Sequence, residues 1–212
     1  MKLTLCATSA ALADAFRSAF AEFDDVEVML DDILKFQADA VVSPANSFGW
    51  MDGGIDLHYR NHFGLDLERR VVAEIAQRPN CMLLVGEAIV VPTGDGAIPS
   101  LIVAPTMCVP SVVANSDNAY RAFSAALRAA KSQGFAHVLS PGMCTGVGRM
   151  PPHQAAAQMA RAWREHISPA SIPADANDPT ASMSHGERCH YYQAVGYPNE
   201  LSPHQAGDRD RG

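Results

Sequence analysis

The feature that most constrains this chain is an alternation of two apolar patterns. Short runs rich in Val, Ile, Leu and Ala, at residues 3–6, 26–30, 38–42, 81–85, 88–91, 101–105 and 136–139, read as strands. Between them lie stretches with apolar residues at helical spacing. Residues 10–23 carry Leu12, Phe16, Ala19, Phe20 and Phe23 in this way, and residues 116–133 carry Tyr120, Phe123, Ala126, Leu127 and Ala130, with Gly134 placed to stop the helix. Residues 55–63, 66–78 and 152–166 read as further helices. Strands that are apolar throughout, rather than at every second position, must be covered on both faces. The pattern therefore predicts an α/β domain with a mostly parallel central sheet.

Composition narrows the partners. A formal charge of −7 without a basic cluster argues against a nucleic-acid surface, which needs concentrated Lys and Arg. No apolar run reaches the roughly 18–20 residues of a membrane span. The five cysteines, Cys6, Cys81, Cys108, Cys144 and Cys189, form no C-x-x-C pair and suit a reducing compartment. The first residues, broken by Asp14 and Arg17, are expected to continue as a helix rather than act as a leader, so a cytoplasmic location is expected. After His166 the periodicity stops. Residues 168–212 are expected to be a Pro/Ser/Asp-rich linker and tail, with the aromatic segments 189–192 and 195–198 able to dock.

Two glycine-bearing loops carry the candidate chemistry. One runs from Ser43 through Asn46, Phe48, Gly49, Trp50, Asp52, Gly53 and Gly54 to Asp56; the other runs from Pro141 through Gly142, Cys144, Thr145, Gly146, Val147 and Gly148 to Pro151. Both lead from a strand into a helix, where ligands of open α/β sheets gather. Helix N-termini offer N–H groups and partial positive charge to a phosphate without any net basic charge. Neither loop matches the P-loop or the G-x-G-x-x-G pattern. The same residues have plainer roles open to them. Asp32 and Asp56 suit helix caps, Asn46 a turn, Phe48 and Trp50 core plugs or a lid, and Arg149 a solvated cation or a phosphate partner. His58 and His62 have i, i+4 spacing but lack the Glu of H-E-x-x-H, so no metal is expected. Cys144 has no assignable base, so a thiol nucleophile is not expected.

Taken together, Asp32-Ile33, then Asp39-Ala40-Val41-Val42-Ser43-Pro44-Ala45-Asn46-Ser47, then Gly53-Gly54-Ile55-Asp56 resemble the long N-terminal signature of the macrodomains. Gly86-Glu87-Ala88 resembles that family's middle turn, and Pro141 to Pro151 its phosphate loop at equal length. The resemblance spans roughly residues 1–167 and implies a three-layer α/β/α fold, with a mixed, mostly parallel sheet, that binds ADP-ribose. By position it implies that Asp32 accepts from the adenine amino group and that Ile33 is among the ligand-binding residues. It implies that Asn46 and the Gly53-Gly54-Ile55 backbone face the distal ribose, and that Cys144, Thr145, Gly146, Val147 and Gly148 line the diphosphate, with Thr145 to Val147 supplying amides. In hydrolytic members, residues matching Asn46 and Asp56 help remove ADP-ribose from a protein carboxylate or from O-acetyl-ADP-ribose. The expected partner is thus free ADP-ribose or an ADP-ribosylated protein, with no cofactor. The activity is hydrolysis, with a non-catalytic reader or an ADP-ribose-1″-phosphate phosphatase as alternatives. Three positions depart from the pattern: Ser43 replaces an asparagine, Asp52 a glycine, and Gly148 an aromatic residue.

Overall fold

The computed structural model describes residues 1–167, so the expected linker and tail at 168–212 lie outside the described residues. Six strands, β1 (Lys2–Ala7), β2 (Val26–Leu30), β3 (Ala40–Ser43), β4 (Ile89–Pro92), β5 (Ser100–Val103) and β6 (His137–Ser140), form one sheet in the order β2-β1-β6-β3-β5-β4. Every neighbouring pair is parallel except β4 with β5 at one edge. The sheet is mixed and mostly parallel, as the alternation requires.

Five helices cover it: α1 (Ala10–Ala19), α2 (Gly54–Phe63), α3 (Leu65–Ala76), α4 (Asn118–Gln133) and α5 (Pro152–Ile167). Successive strand residues feed two separate cores. Leu3, Leu5, Ala40, Val42, Ile102 and Val138 pack with Phe16, Phe123, Met159 and Trp163 of α1, α4 and α5. Cys6, Val41, Leu101, Val103 and Leu139 pack with Tyr59, Leu67, Val71 and Ile75 of α2 and α3. The period-two alternation of strand side chains thus joins three layers. At roughly 1.5–3 kcal/mol per fully buried large side chain, the two cores supply the main driving force for this arrangement.

Local signals account for the element ends. The Ser9 side chain caps α1 by accepting from the Leu12 amide. Gly134, left-handed at φ 71°, ends α4 as expected. Two expectations need correction. Helix α1 stops at Ala19 rather than continuing to residue 23; Phe20 and Phe23 keep the apolar pattern by edge-to-face contact beyond the helix. Residues 81–85 do not form a strand. Asn80 and Cys81 have positive φ, and the Leu83 amide donates to the Ser47 carbonyl instead of to a sheet neighbour. Leu83 and Val85 are buried all the same, so their apolar character reflects burial without a ladder.

Candidate functional site

Five parallel strands run the same way, so their carboxyl ends collect along one edge of the sheet. The segments leaving those ends line a single cleft of about 770 Å³. In sheet order they are Asp31–Ile33 after β2, Thr8 after β1, Pro141–Gly148 after β6, Pro44–Asp56 after β3, and Thr106–Pro110 after β5. The two glycine-bearing loops therefore meet, and each residue expected to bind ligand lines the cleft: Asp32, Ile33, Asn46, Gly53, Gly54, Ile55, Asp56, Cys144, Thr145, Gly146, Val147 and Gly148. Arg149 is exposed and is not among the lining residues.

The glycines divide into two kinds. A Cβ on Gly53, Gly54 or Gly146 would meet nothing within 4 Å, so their backbone lies open for close approach by a ligand. Gly148 is different: a Cβ there would lie 2.6 Å from the Cys144 carbonyl oxygen and 2.9 Å from Val113. The Val113 amide also donates to the Gly148 carbonyl, which locks the segment after β5 against this loop. The loop turns on Cys144, whose φ of 63° is left-handed, and its carbonyl accepts from the Met150 amide. Burial pushes the Cys144 thiol up to about 12, which keeps it protonated and poorly nucleophilic.

At the β2 end, Asp32 takes the capping role open to it in the sequence and also borders the cleft. Its Oδ1 caps a short 3₁₀ turn by accepting from the Leu34 amide at 3.0 Å, while its side chain lines the cleft. The His58 Nε2 lies 2.9 and 3.1 Å from its two oxygens. Partial burial works to raise the Asp32 carboxyl, but the Leu34 amide and His58 hold it below the usual carboxylate range. It is therefore ionised, an acceptor only. The Asp32–His58 contact was invisible in the sequence, where His58 stood out only for its spacing to His62.

The loop after β3 is held by its own polar groups. Asn46 Oδ1 accepts from the Phe48 amide at 3.1 Å and the Trp50 amide at 3.3 Å, and its Nδ2 donates to the Trp50 carbonyl at 2.8 Å. Most of its hydrogen-bonding capacity thus shapes the loop. Glu68 accepts from the Met51 amide and pairs with Arg60, tying the loop to α2 and α3. The Phe48 and Trp50 rings stack with centroids 4.9 Å apart and planes 19° from parallel.

Asp56, in the first turn of α2, is 7% exposed. The Ser43 hydroxyl donates to its Oδ1 at 2.6 Å. Burial pushes the Asp56 carboxyl from 3.8 up to about 7; the Ser43 hydrogen bond opposes this, and the negative charges of Glu68 and Asp52 add to it. A carboxyl that exchanges its proton near neutrality at the wall of a cleft suits general acid–base work. Ser43 was noted in the sequence only as a departure; the structure makes it the partner of Asp56.

Fold and cleft together define the class: an open α/β/α sheet with its cleft on the strand carboxyl ends. The Macro domain pattern matches residues 42–159, more than half of the 212-residue chain. The chain belongs to the macro domain family. It is 36% identical over 141 residues to an uncharacterized protein of Aquifex aeolicus, covering 66% of this chain and 82% of that protein. It is also 36% identical over 137 residues to one of Aeropyrum pernix, covering 64% and 68%. Among solved structures, the macrodomain of Mycobacterium tuberculosis DarG superposes with a TM-score of 0.55 at 20% identity, over 63% of this chain and 86% of that one. An Oceanobacillus iheyensis macrodomain with ADP gives a TM-score of 0.55 at 21% identity, over 63% and 71%. At that identity the structural likenesses speak to the fold.

Proposed function

We propose that the cleft binds ADP-ribose and that the protein hydrolyses ADP-ribosyl linkages to carboxylates, on modified proteins or in O-acetyl-ADP-ribose. The observation that carries this reading is one cleft that joins an ionised acceptor, Asp32, to a proton-exchanging carboxyl, Asp56, across an open glycine-lined middle. A solved macrodomain with ADP-ribose among the structural neighbours supports it. In this assignment Asp32 accepts from the adenine amino group beside Ile33. The amides of Thr145, Gly146 and Val147, with Cys144 and Gly148 as loop walls, hold the diphosphate. The N-terminus of α2, at Gly53, Gly54 and Ile55, faces the distal ribose and adds the partial positive charge of a helix start.

For the chemistry, ionised Asp56 takes a proton from water as the water oxygen attacks the anomeric carbon of a ribosylated carboxylate, or the acyl carbon of O-acetyl-ADP-ribose. The bond to the departing oxygen breaks, and the leaving group carries away the electron pair. Ser43 holds the carboxylate in place, and Asn46 acts by fixing the loop that borders the distal ribose. Because the Asn46 amide is largely committed to that loop, a non-catalytic reader is the second reading.

Calorimetric titration with ADP-ribose, with AMP and ribose-5-phosphate as controls, tests binding; absence of ADP-ribose binding refutes the proposal. Release of ADP-ribose from a carboxylate-modified protein, measured for wild type and Asp56→Asn, separates the readings. Turnover lost in the variant with affinity kept within a few-fold supports the hydrolase, and no turnover by wild type supports the reader.

A further inference from the structure

His58 stands on α2 and borders the cleft beside the turn that follows β2. Its backbone is fixed by the next residue: Tyr59 is fully buried, and its hydroxyl donates to the Val42 carbonyl at 3.1 Å. Asp32 is fixed in the same way by Ile33, which is buried in the core that holds Tyr59. Two anchored backbones thus present a histidine and an aspartate to each other. The Asp32 carboxylate is an acceptor only, so the imidazole carries a proton on Nε2 and donates it across both oxygens, at 2.9 and 3.1 Å. The nearby Lys35 does not take this place, because its ammonium donates to Asp31 at 2.6 Å. His62, one turn further along α2, packs edge-on against Phe63. Both side chains of the Asp32–His58 pair remain partly exposed, so the contact adds little stability. What it supplies is direction.

We infer that His58 is a positioning residue for base recognition, which sets the plane of the Asp32 carboxylate and thereby the preference for an amino-bearing purine over an oxo-purine. This rests on the reading that the cleft binds ADP-ribose with its base at Asp32. The Leu34 amide holds only Oδ1, at 3.0 Å, and a carboxylate tied at one oxygen can still swing about that bond. A second donor that spans both oxygens stops the swing. Oδ1 then carries two donors, whereas Oδ2 carries His58 alone among the described residues and keeps an acceptor direction open. An exocyclic amino group can donate there. An oxo group in the same place sets its lone pairs against an ionised carboxylate, a repulsive and unpaired contact. A carboxylate free to turn would escape that clash, by moving aside or by reaching the ring N–H next to the oxo group. His58 denies Asp32 the escape.

The test compares ADP-ribose with its inosine counterpart, in which an oxo group replaces the amino group of the base. Calorimetry on wild type is expected to show ADP-ribose favoured by roughly thirtyfold or more, the cost of setting two acceptors together. In His58→Ala that preference should shrink at least about fivefold. His58→Gln keeps a side-chain N–H donor and should hold the preference within about threefold of wild type. In an Asp32→Ala background, His58→Ala should change the preference by less than about twofold, because a residue that acts through Asp32 has nothing left to position. A melting curve for each variant shows that the fold is kept. A folded His58→Ala that retains the wild-type preference overturns the inference, as does one that weakens both ligands equally, which marks a general packing role. A further loss of preference in the Asp32→Ala background also overturns it, because His58 then meets the base itself. Wild type that binds both ligands equally overturns it and leaves ADP-ribose binding standing. Wild type that binds neither removes the proposed function as well.

Discussion

Replacing Asp56 with Asn tests whether the site carries a buried carboxyl whose proton is exchanged near neutrality. In an unfolded chain this group ionises at its ordinary value near 3.8, and in the folded protein at about 7. The native state therefore holds the proton more tightly than the unfolded state. Below about pH 4 both states are protonated and the group imposes no penalty. Between about pH 4 and pH 7 the unfolded state ionises first, and stability falls by about 1.4 kcal/mol per pH unit. Above pH 7 both states are ionised and the loss levels off. The interval from 3.8 to about 7 is roughly three pH units, which corresponds to about 4 kcal/mol. Asparagine keeps an acceptor for the Ser43 hydroxyl and has no charge to bury. Urea unfolding of both proteins at pH 4.5 and pH 8 measures the effect, and the difference between them cancels the other titrating groups. The gap should move in favour of Asp56→Asn by on the order of 3 kcal/mol between the two pH values, while turnover falls. A gap constant within about 0.5 kcal/mol would refute the assignment of a raised, buried carboxyl.

The glycines of the loop after β6 should behave oppositely. Gly146→Val adds bulk to open space in the cleft; ADP-ribose affinity should fall at least about tenfold with Tm almost unchanged, and retained affinity would show that the ligand passes elsewhere. Gly148→Ala forces a Cβ toward a backbone oxygen at 2.6 Å, which should destabilise the fold by roughly 1–3 kcal/mol in denaturant unfolding. Gly49→Ala combines positive φ with contacts to Val71 and Ile75 under 3 Å and should lose roughly 2 kcal/mol or more, measured in the same way. Asp32→Ala removes an ionised acceptor from the β2 end; ADP-ribose affinity should drop about tenfold or more by calorimetry, while ribose-5-phosphate binding, which needs no base contact, stays unchanged.

Much of this protein was legible in its sequence because the signals are local or periodic. Apolar runs without alternation dictated a sheet covered on both faces, helical spacing located α1 and α4, and Gly134 marked the end of α4. The glycine-bearing loops and their placement between strand and helix were also plain, since glycine is needed wherever backbone must approach a ligand. Other matters depended on residues distant in sequence. That Leu83 and Val85 bury without joining the sheet was decided by the Ser47 carbonyl, which takes the Leu83 amide. Whether Gly53, Gly146 and Gly148 are open or packed was decided by what folds against them, and Val113 closes only the last. Sequence determined which groups this chain brings to the cleft: loop glycines, aspartates and an aromatic loop. Tertiary structure decided their states, pairing Asp32 with His58, burying Asp56 against Ser43 and stacking Trp50 on Phe48. The physical reason is that charge, proton affinity and ring orientation depend on neighbours within a few ångströms, and folding chooses those neighbours.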